Sequence, residues 1–142
     1  MEEKADKKED KFAKLTDEDN RALDALAQDK SKRIRREVAK IGRDKDLNDL
    51  VYDPDVKVRL EVVKHGRDRD LDHLVDDPDA RVRLAVAEFG RPKDLVILAN
   101  DPNFKVRKKI ASNGQFLDVL ATDPDPFIRR EVLNQITKKL NN

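Results

Sequence analysis

Pairs of aliphatic residues recur along the chain at intervals of 24 residues. In each repeat two aliphatic residues stand four positions apart, as Val58 and Val62 do, which is the spacing of one face of an α-helix. Two leucines one helical turn apart follow, such as Leu71 and Leu74. The first pair recurs at Ile34 and Val38, Val82 and Val86, Val106 and Ile110, and Ile128 and Val132; the leucines recur at Leu23 and Leu26, Leu47 and Leu50, Leu95 and Leu98, and Leu117 and Leu120. The pattern predicts a longer and a shorter helix in each repeat.

Aspartate, proline and glycine mark the ends of the predicted longer helices. One aspartate opens each repeat, with steps of 24, 24, 24 and 22 residues, at Asp29, Asp53, Asp77, Asp101 and Asp123. Proline follows four of these, and a glycine comes later in four repeats, at Gly42, Gly66, Gly90 and Gly114. We predict that the carboxylate caps the helix and that proline takes its first position. About twelve residues later, the glycine is expected to end the helix in the left-handed conformation.

Because neither predicted helix can bury its apolar side alone, the repeats are expected to stack on one another. The sequence therefore predicts an all-α solenoid of about five repeats, forming a single domain over residues 16–142. Residues 1–15 carry ten charges of mixed sign and are predicted to be a disordered tail. The predicted divisions are a half-repeat at 16–28, opened by the capping pair Thr16 and Asp19, repeats at 29–52, 53–76, 77–100 and 101–122, and a C-terminal cap repeat at 123–142.

Composition narrows the possible classes of function. Charged residues make up 43% of the chain and hydrophobic residues 37%, a thin apolar share that suits an elongated body with a narrow core. The 31 basic and 30 acidic side chains leave a net charge of +1, so the arrangement of charge matters more than its total. No apolar run approaches a membrane span and no signal-peptide core opens the sequence, which favours a cytoplasmic location.

The residue types offer little for catalysis, for a cofactor or for a metal. The absence of cysteine excludes disulfides, thiolate metal sites and cysteine nucleophiles. No Gly-rich phosphate loop, nucleophile elbow or Ser/His/Asp arrangement is present, so we expect neither enzyme activity nor a cofactor. His65 and His73 are the only histidines, and their eight-residue separation is not a metal-binding signature. We expect His65 to pack at the edge of the core and His73 to be exposed.

The repeated motif resembles the leucine-rich repeat variant family, a bacterial family with a 24-residue repeat. The motif is Asp-Pro-Asp-x-x-Val-Arg-x-x-Val-Ala followed by Leu-x-x-Leu, and the resemblance covers residues 16–140. It implies alternating α- and 3₁₀-helices in a right-handed superhelix. HEAT-type repeats, whose usual period is longer, are the alternative. The founding member's cysteine-bound iron–sulfur cluster cannot be carried over to a chain without cysteine, and the family has no agreed activity.

One arginine in every repeat directly follows the first aliphatic residue. These residues are Arg35, Arg59, Arg83, Arg107 and Arg129. On a helical wheel their position lies beside the aliphatic stripe, where a half-buried guanidinium reaches the aspartate of its own or of the adjacent repeat. We therefore predict a structural Asp–Arg ladder rather than a row of anion-binding residues.

The helix face opposite the aliphatic stripe is the candidate binding surface. Leu60 and Leu84 occupy equivalent outward positions, and with Phe104 and Phe127 they predict an apolar strip edged by charge. Packing of these residues between repeats is the alternative. The basic residues predicted to accompany the leucines are Arg33, Lys57, Arg81 and Lys105. This surface favours a non-catalytic adaptor that binds another protein. We expect no membrane contact, and a monomer is favoured.

Nucleic-acid binding through the same basic positions is the alternative. A second basic row is predicted just after the glycines, at Arg43, Arg67 and Arg91, and cations spaced by a helix-packing distance suit a phosphate backbone. Against this, Glu37 and Glu61 stand four residues after Arg33 and Lys57, a spacing typical of ion pairs on a solvated helix face. A further alternative is stacking between chains, against which the polar C-terminal residues argue.

Overall fold

A computed structural model describes residues 11–142, and all regular structure within that range is helical, without strands. The prediction of an all-α fold is confirmed. The chain divides into two compact units, Met1–His65, of which residues 11–65 are described, and Gly66–Asn142. The first unit contains α1 (Asp17–Leu26), α2 (Lys32–Ile41), α3 (Asp44–Leu50) and α4 (Val56–Lys64). The second contains α5 (Asp68–Leu74), α6 (Ala80–Glu88), α7 (Pro92–Leu98), α8 (Phe104–Ser112), α9 (Leu117–Leu120) and α10 (Pro126–Asn141).

Longer and shorter helices alternate within each unit, as the aliphatic pattern predicts. In the first unit α2 packs against α4, and the shorter α3 contacts both. In the second unit α6 packs against α8 and α8 against α10, with α7 and α9 against the helices that flank them. Residues from both kinds of predicted aliphatic pair are buried, as Val58 and Leu47 are at 0% exposure. Burial of each such side chain stabilises the fold by about 1.5–3 kcal/mol.

The longer helices begin two residues later than the Asp-Pro pattern predicts. The N-cap of α4 is Asp55, whose carboxylate accepts the backbone N–H groups of Lys57 and Val58 at 2.9 and 3.3 Å. Asp53 instead accepts the backbone N–H of Asp55 at 2.9 Å, which closes a turn ahead of the helix. The predicted capping role of the first aspartate is therefore wrong. The same turn, followed by a capping side chain, precedes α6, α8 and α10, where the caps are Asp79, Asn103 and Asp125.

The predicted glycine conformation is confirmed. Gly42 ends α2 with φ of +83°, a left-handed conformation that side chains disfavour, and its N–H donates to the carbonyl of Val38. The His65 ring lies directly over Gly42, and its Nε2 donates to the carbonyl oxygen of Ala39 at 2.7 Å. His65 therefore packs at the edge of the core as predicted, and His73 is exposed as predicted.

The shorter helices are α-helices, whereas the family resemblance implies 3₁₀-helices. In α3, Leu47 N–H donates to the carbonyl of Arg43 at 3.0 Å, and α5 and α7 have the same seven-residue length. Acidic residues in their first turns stabilise them through the helix dipole. The repeat that has lost two residues keeps only a four-residue helix, α9, and Phe116 before it takes a φ of +51°.

The two ends of the described chain also bear on the predictions. Thr16 and Asp19 form the predicted capping box at the start of α1, with bonds of 2.9 and 3.0 Å. The predicted disordered tail, 1–15, falls largely on residues 1–10, which lie outside the described residues; Lys11 and Phe12 are helical. At the other end α10 runs on for 16 residues without a glycine stop. None of the helices described has the length and apolar character needed to cross a membrane.

Candidate interaction surface

In three repeats the arginine beside the aliphatic stripe binds the aspartate that opens the following repeat. Arg83 donates from Nε to Asp101 Oδ2 at 2.7 Å and from Nη2 to Asp101 Oδ1 at 3.1 Å. Its Nη1 donates to the backbone carbonyl of Asp77, in its own repeat, at 2.7 Å. The same two-pronged contact joins Arg35 to Asp53 in the first unit and Arg107 to Asp123 in the second. The predicted ladder is confirmed at these three pairs, which we call the ladder pairs.

A second set of arginines, directly after the glycines, is also bound to aspartates. Arg91 N-caps α7, and its Nε and Nη2 donate to the buried carboxylate of Asp94 at 2.6 and 2.8 Å. The same guanidinium reaches Asp72 on α5 at 2.8 Å. Arg43 with Asp46 and Arg67 with Asp70 repeat the contact within one turn. We call these three contacts the helix-start pairs. They show that the predicted second basic row is wrong, because arginine side chains bound to aspartates in this way are not available to a phosphate.

The signal for the helix-start pairs is present in the sequence as Arg-x-x-Asp after three of the four glycines. In the fourth repeat Gln115 replaces the arginine, and α9 lacks the pair. Among the described residues, no buried side-chain nitrogen or oxygen lacks a hydrogen-bond partner. The repeated polar positions therefore serve the fold.

Some of these contacts shift pKa values toward the charged form of a side chain. Hydrogen bonding to Asp101 raises the pKa of Arg83, and hydrogen bonding to Asp94 raises that of Arg91. On α5, hydrogen bonds from Lys93 and then Arg91 lower the pKa of Asp72. Lys45 and Arg43 lower the pKa of Asp24 on α1 in the same way.

In the first unit the structure places Arg33 and Lys57 on the exposed sides of α2 and α4, with no ion pair to another described residue. Leu60 also lies on α4 but is half-buried rather than outward-facing. The three side chains thus belong to two helices that pack together. Together they form a surface with two solvated cations, Arg33 and Lys57, and one leucine, Leu60, whose side chain is only partly accessible to a partner.

The predicted ion pairs of the glutamates on these helices are wrong. Glu61 is buried, at 3% exposure, and binds Arg36 of α2 at 3.1 Å and Lys64 at 3.2 Å. Glu37 pairs with Lys40 at 3.3 Å. Neither contacts the residue four positions earlier, because Lys57 lies in the exposed first turn of α4 while Glu61 points into the contact with α2.

In the second unit the candidate residues are Arg81 and Leu84 on α6 and Lys105 on α8. Arg81 is exposed, but Asp79 holds its guanidinium through bonds of 2.8 and 3.1 Å, so its charge is already compensated. Leu84 is half-buried, as Leu60 is. Lys105 is exposed and forms no ion pair with any residue that the structure describes. Phe104 and Phe127, the other members of the predicted apolar strip, are 43% and 70% exposed.

Two apolar surfaces are absent from the sequence prediction. One is a groove of about 490 Å³ on the first unit, between α1 and α2, lined by Leu23, Leu26, Ile34 and Ile41. The other is the side of α10 that carries Leu133, Ile136 and Leu140, which are 62%, 43% and 80% exposed. The repeat pattern assigns most of these positions to the core, and only the structure shows that they remain partly exposed.

Over residues 11–142, no group of three or more His, Asp or Glu side chains is arranged to hold a metal ion. The aspartates that crowd the sequence are instead distributed among caps, ladder pairs and helix-start pairs. No protein-family model matches the sequence, and no curated protein matches it. The residues on the surface of the chain therefore carry the information about its function.

Proposed function

We propose that this chain is a non-catalytic protein-interaction module, built as a right-handed solenoid of about five 24-residue helical repeats. The family resemblance supplies the superhelix and its hand, and the repeated helix pairs in each unit are compatible with it. Such modules present the side chains of successive helices as an extended binding surface.

The observation that carries the proposal is the engagement of the buried charges. The ladder and helix-start pairs join the arginines and aspartates that lie closest to the core, such as Arg35 with Asp53 and Arg43 with Asp46. A catalytic carboxylate needs a reactive lone pair facing a cleft, and these carboxylates face guanidinium groups instead. The exposed helix faces are what the fold leaves available to a ligand.

The mixed charge of these faces supports a protein partner over nucleic acid. On the first unit the exposed Glu37 lies on the same helix as Arg33 and pairs with Lys40, and on the second unit Asp79 pairs with Arg81. A phosphate backbone requires uncompensated cations, whereas a protein surface of alternating sign is matched by complementary charges. The half-buried Leu60 and Leu84 add apolar contact area without leaving a fully exposed leucine.

A pull-down with matched variants tests the proposal. We expect Leu60→Ser together with Leu84→Ser to lose partners that the unmodified chain retains. Val96→Ser together with Ile97→Ser is the control, because these α7 residues are 58% and 51% exposed and lie outside the proposed surface. Circular dichroism confirms that both variants fold. Equal retention by the two variants would contradict the proposed surface.

Nucleic-acid binding is the second candidate, and one observation favours it. Lys105 and Lys108 on α8 and Arg130 on the adjacent α10 are exposed, and none pairs with another residue in the described range. Titration of labelled duplex and single-stranded nucleic acid at low and near-physiological salt separates the candidates. Binding that weakens steeply with salt and disappears in the Lys105→Glu, Lys108→Glu, Arg130→Glu variant would support this alternative. Absence of binding at low salt would exclude it.

A further inference from the structure

Two depressions follow one another along the second unit, on the side where the turns between repeats lie. One, of about 360 Å³, is bordered by the turn between α5 and α6 and by the turn between α7 and α8. The next, of about 410 Å³, is bordered by the turn between α7 and α8 and by the turn between α9 and α10. The two depressions therefore share one wall, which contains Asn100, Asp101 and Pro102.

The same kinds of residue line both depressions, because they stand at equivalent positions of successive repeats. Each depression contains one ladder pair, in which the guanidinium and the carboxylate compensate each other. Each also contains an aliphatic residue of a shorter helix, Ile97 at 51% exposure in the first and Val119 at 42% in the second. The apolar walls are completed by exposed prolines of the turns, Pro78, Pro102 and Pro124.

The exposure of Ile97 belongs to its position in the repeat. The helix that carries it, α7, is preceded by α5 and α6 and followed by α8, α9 and α10. By the repeat spacing its equivalents are Asp49, His73 and Val119, and all of them are exposed. The core therefore does not require an apolar residue here. Aliphatic side chains at this solvent-facing position in two successive repeats are available to a ligand.

Three hydrogen-bonding side chains border the depressions at another equivalent position. Asp76 lines the first depression, Asn100 lines both and Thr122 lines the second, and all three are exposed. The Asn100 carboxamide forms no hydrogen bond with another described residue, so its N–H groups and its oxygen are both available. The Thr122 hydroxyl donates to the carbonyl of Val119 at 3.2 Å and keeps its oxygen as an acceptor.

The spacing of these features matches one backbone conformation of a ligand. The longer helices of successive repeats pack directly on one another, so equivalent positions are expected about 8–10 Å apart. A polyproline II chain rises about 3.1 Å per residue with three residues per turn, so every third side chain lies on the same side, about 9 Å further on. Side chains on one side of a β-strand are only about 7 Å apart. A polyproline II chain also makes no internal hydrogen bonds, which leaves its main chain free to bond to Asn100.

Charge further defines the ligand. Among the described residues that line the two depressions there is no lysine, and both arginines belong to ladder pairs. Asp76 is exposed and forms no ion pair with any residue that the structure describes. A basic side chain near Asp76 would meet an uncompensated carboxylate, whereas an acidic side chain would be repelled.

We propose that the two depressions bind a segment of another protein in the polyproline II conformation. Two proline or small aliphatic side chains, three residues apart in that segment, enter the two depressions. The main chain between them bonds to the Asn100 carboxamide, and a basic side chain of the segment pairs with Asp76. The site is separate from the surface of Leu60 and Leu84, neither of which lines a depression.

Fluorescence anisotropy with a labelled peptide tests the proposal directly. The probe is Arg-Pro-Pro-Val-Pro-Pro-Val-Pro-Pro, prepared also in the reversed order so that both directions of the chain are sampled. The control peptide, Arg-Pro-Pro-Val-Pro-Val-Pro-Pro-Pro, has the same composition but places its valines two residues apart. We expect a Kd of about 0.1 mM or tighter for one order of the probe, and binding about tenfold weaker for the control. Equal binding of the control, or no saturation with either order up to about 1 mM, would overturn the proposal.

Charge exchange at Asp76 locates the basic end of the bound peptide. We expect Asp76→Lys to weaken binding of the probe by about tenfold and to bind a peptide with glutamate in place of arginine more tightly than the unmodified chain does. The position already holds Asn100 and Thr122 in other repeats, so the fold tolerates the change. Asp49→Lys is the control, since it makes the same change of charge at an exposed position of the first unit. Equal effects of the two variants, or no gain for the glutamate peptide, would contradict the proposed contact.

An NMR titration with the same probe reports on the shared wall. In a correlation spectrum the side-chain amide signals of Asn100, assigned by their absence from Asn100→Ala, should shift as the peptide is added. Ile97→Ser combined with Val119→Ser should abolish binding, because both depressions lose their aliphatic side chain. Peptide binding that leaves the Asn100 signals in place would overturn the proposal.

The two binding surfaces are separated by variants that affect only one of them. The Leu60 and Leu84 variant is expected to bind the probe as the unmodified chain does. The Val96 and Ile97 variant is expected to lose the probe and to retain the partners of the Leu60 and Leu84 surface. Failure of the peptide site is therefore distinguishable from failure of the proposed partner surface.

Discussion

At the scale of single residues, each ladder aspartate combines several tasks in one carboxylate. Asp101 accepts two hydrogen bonds from Arg83 and one from the backbone N–H of Asn103, while remaining 5% exposed. An unpaired carboxylate at that depth would be costly, and the guanidinium removes the cost. The turn and the ion pair therefore depend on each other.

We expect Asp101→Ala to destabilise the second unit by about 2–4 kcal/mol, because it leaves Arg83 partly buried without its partner and frees the Asn103 N–H. Urea unfolding followed by circular dichroism measures the change. Asp118→Ala, at an exposed position on α9, is the control and should cost less than about 0.5 kcal/mol. Equal losses in the two variants would show that the ladder pair contributes no more than a surface residue.

Acid should destabilise the protein in part through Asp24 and Asp72. Their folded pKa values are lowered below the ordinary value of 3.8 by hydrogen bonds from Lys45 and Arg43 and from Lys93 and Arg91. The folded state then binds fewer protons than the unfolded state, so this stability is present above the unfolded pKa and is lost as the pH falls through the folded pKa.

The measurement is the urea midpoint as a function of pH, from neutral pH down through the ordinary aspartate range. Asp24→Asn with Asp72→Asn is expected to give a shallower decline than the unmodified chain. Sodium chloride at about 1 M should flatten the decline in the unmodified chain, since both residues are near the surface. An unchanged slope in the double variant would exclude these pairs as a source of acid sensitivity.

The ladder was predictable because Arg83 and its equivalents have a fixed place beside the aliphatic stripe, and a helical wheel is enough to locate it. The sequence predicts a basic row at the helix-start arginines only when Arg91 is considered without Asp94, three residues later. It places Glu61 on a solvated face because it does not show that Arg36 approaches from another helix. The ladder contact is thus predictable from a position that recurs in every repeat, and the Arg91 contact is visible within one turn, whereas the contact of Glu61 with another helix is not.

At the scale of helices, the 24-residue period predicts the order of the longer and shorter helices. The turn before a longer helix shifts the start of that helix by two residues. The predicted start at Asp53 moves to Asp55 because the first carboxylate is taken by the turn and by Arg35. Both residues are good caps by propensity, so local preference alone does not separate them. The contact of Asp53 with Arg35 on the neighbouring helix therefore decides which of the two aspartates caps the helix.

We expect Gly42→Ala to cost more than Gly114→Ala. Both glycines have positive φ, which costs a side chain about 1–2 kcal/mol. At Gly42 the added methyl group would also meet Cε1 of the His65 ring, whereas at Gly114 the nearest atom is 3.8 Å away. Displacement of the ring breaks its bond to Ala39, which adds about 1 kcal/mol.

Thermal unfolding of both variants, each with and without His65→Ala, measures this difference. The excess cost at Gly42 should disappear once the imidazole is removed, while the cost at Gly114 should not change. An excess that persists without the imidazole would place its origin in the backbone alone.

At the scale of the whole molecule, the net charge of +1 is the sum of two kinds of charged residue. Some are bound in ion pairs near the core, and others lie in solvent. Buried carboxylates such as Asp46 and Asp94 are neutralised by arginine, and the remaining charge lies on the helix faces. Among the helices described, α10 carries the most exposed large apolar side chains, and α2 and α7 carry two each. Composition predicted the thin core but could not show where it is uncovered.

Hydrogen exchange should be fastest at the helices with the least burial. In α1, all of whose residues the structure describes, no residue is buried, whereas α4 has four buried residues. We expect amides of α1 and of the second half of α10 to exchange first, and those of α4, α6 and α8 last. Uniform exchange along the chain would contradict the gradient.

The offset of the ladder constrains how a gene for such a chain can change length. Duplication of 24 codons adds one ladder aspartate and one ladder arginine together, so the added ladder carboxylate still meets a guanidinium. Deletions are tolerated where they shorten a minor helix, as between Arg107 and Asp123, which are 16 residues apart rather than 18 and still bind. Recombination that adds or removes whole repeats can therefore produce longer and shorter versions of the chain. An in-frame insertion of another length within a longer helix would instead leave a buried charge without its ion-pair partner.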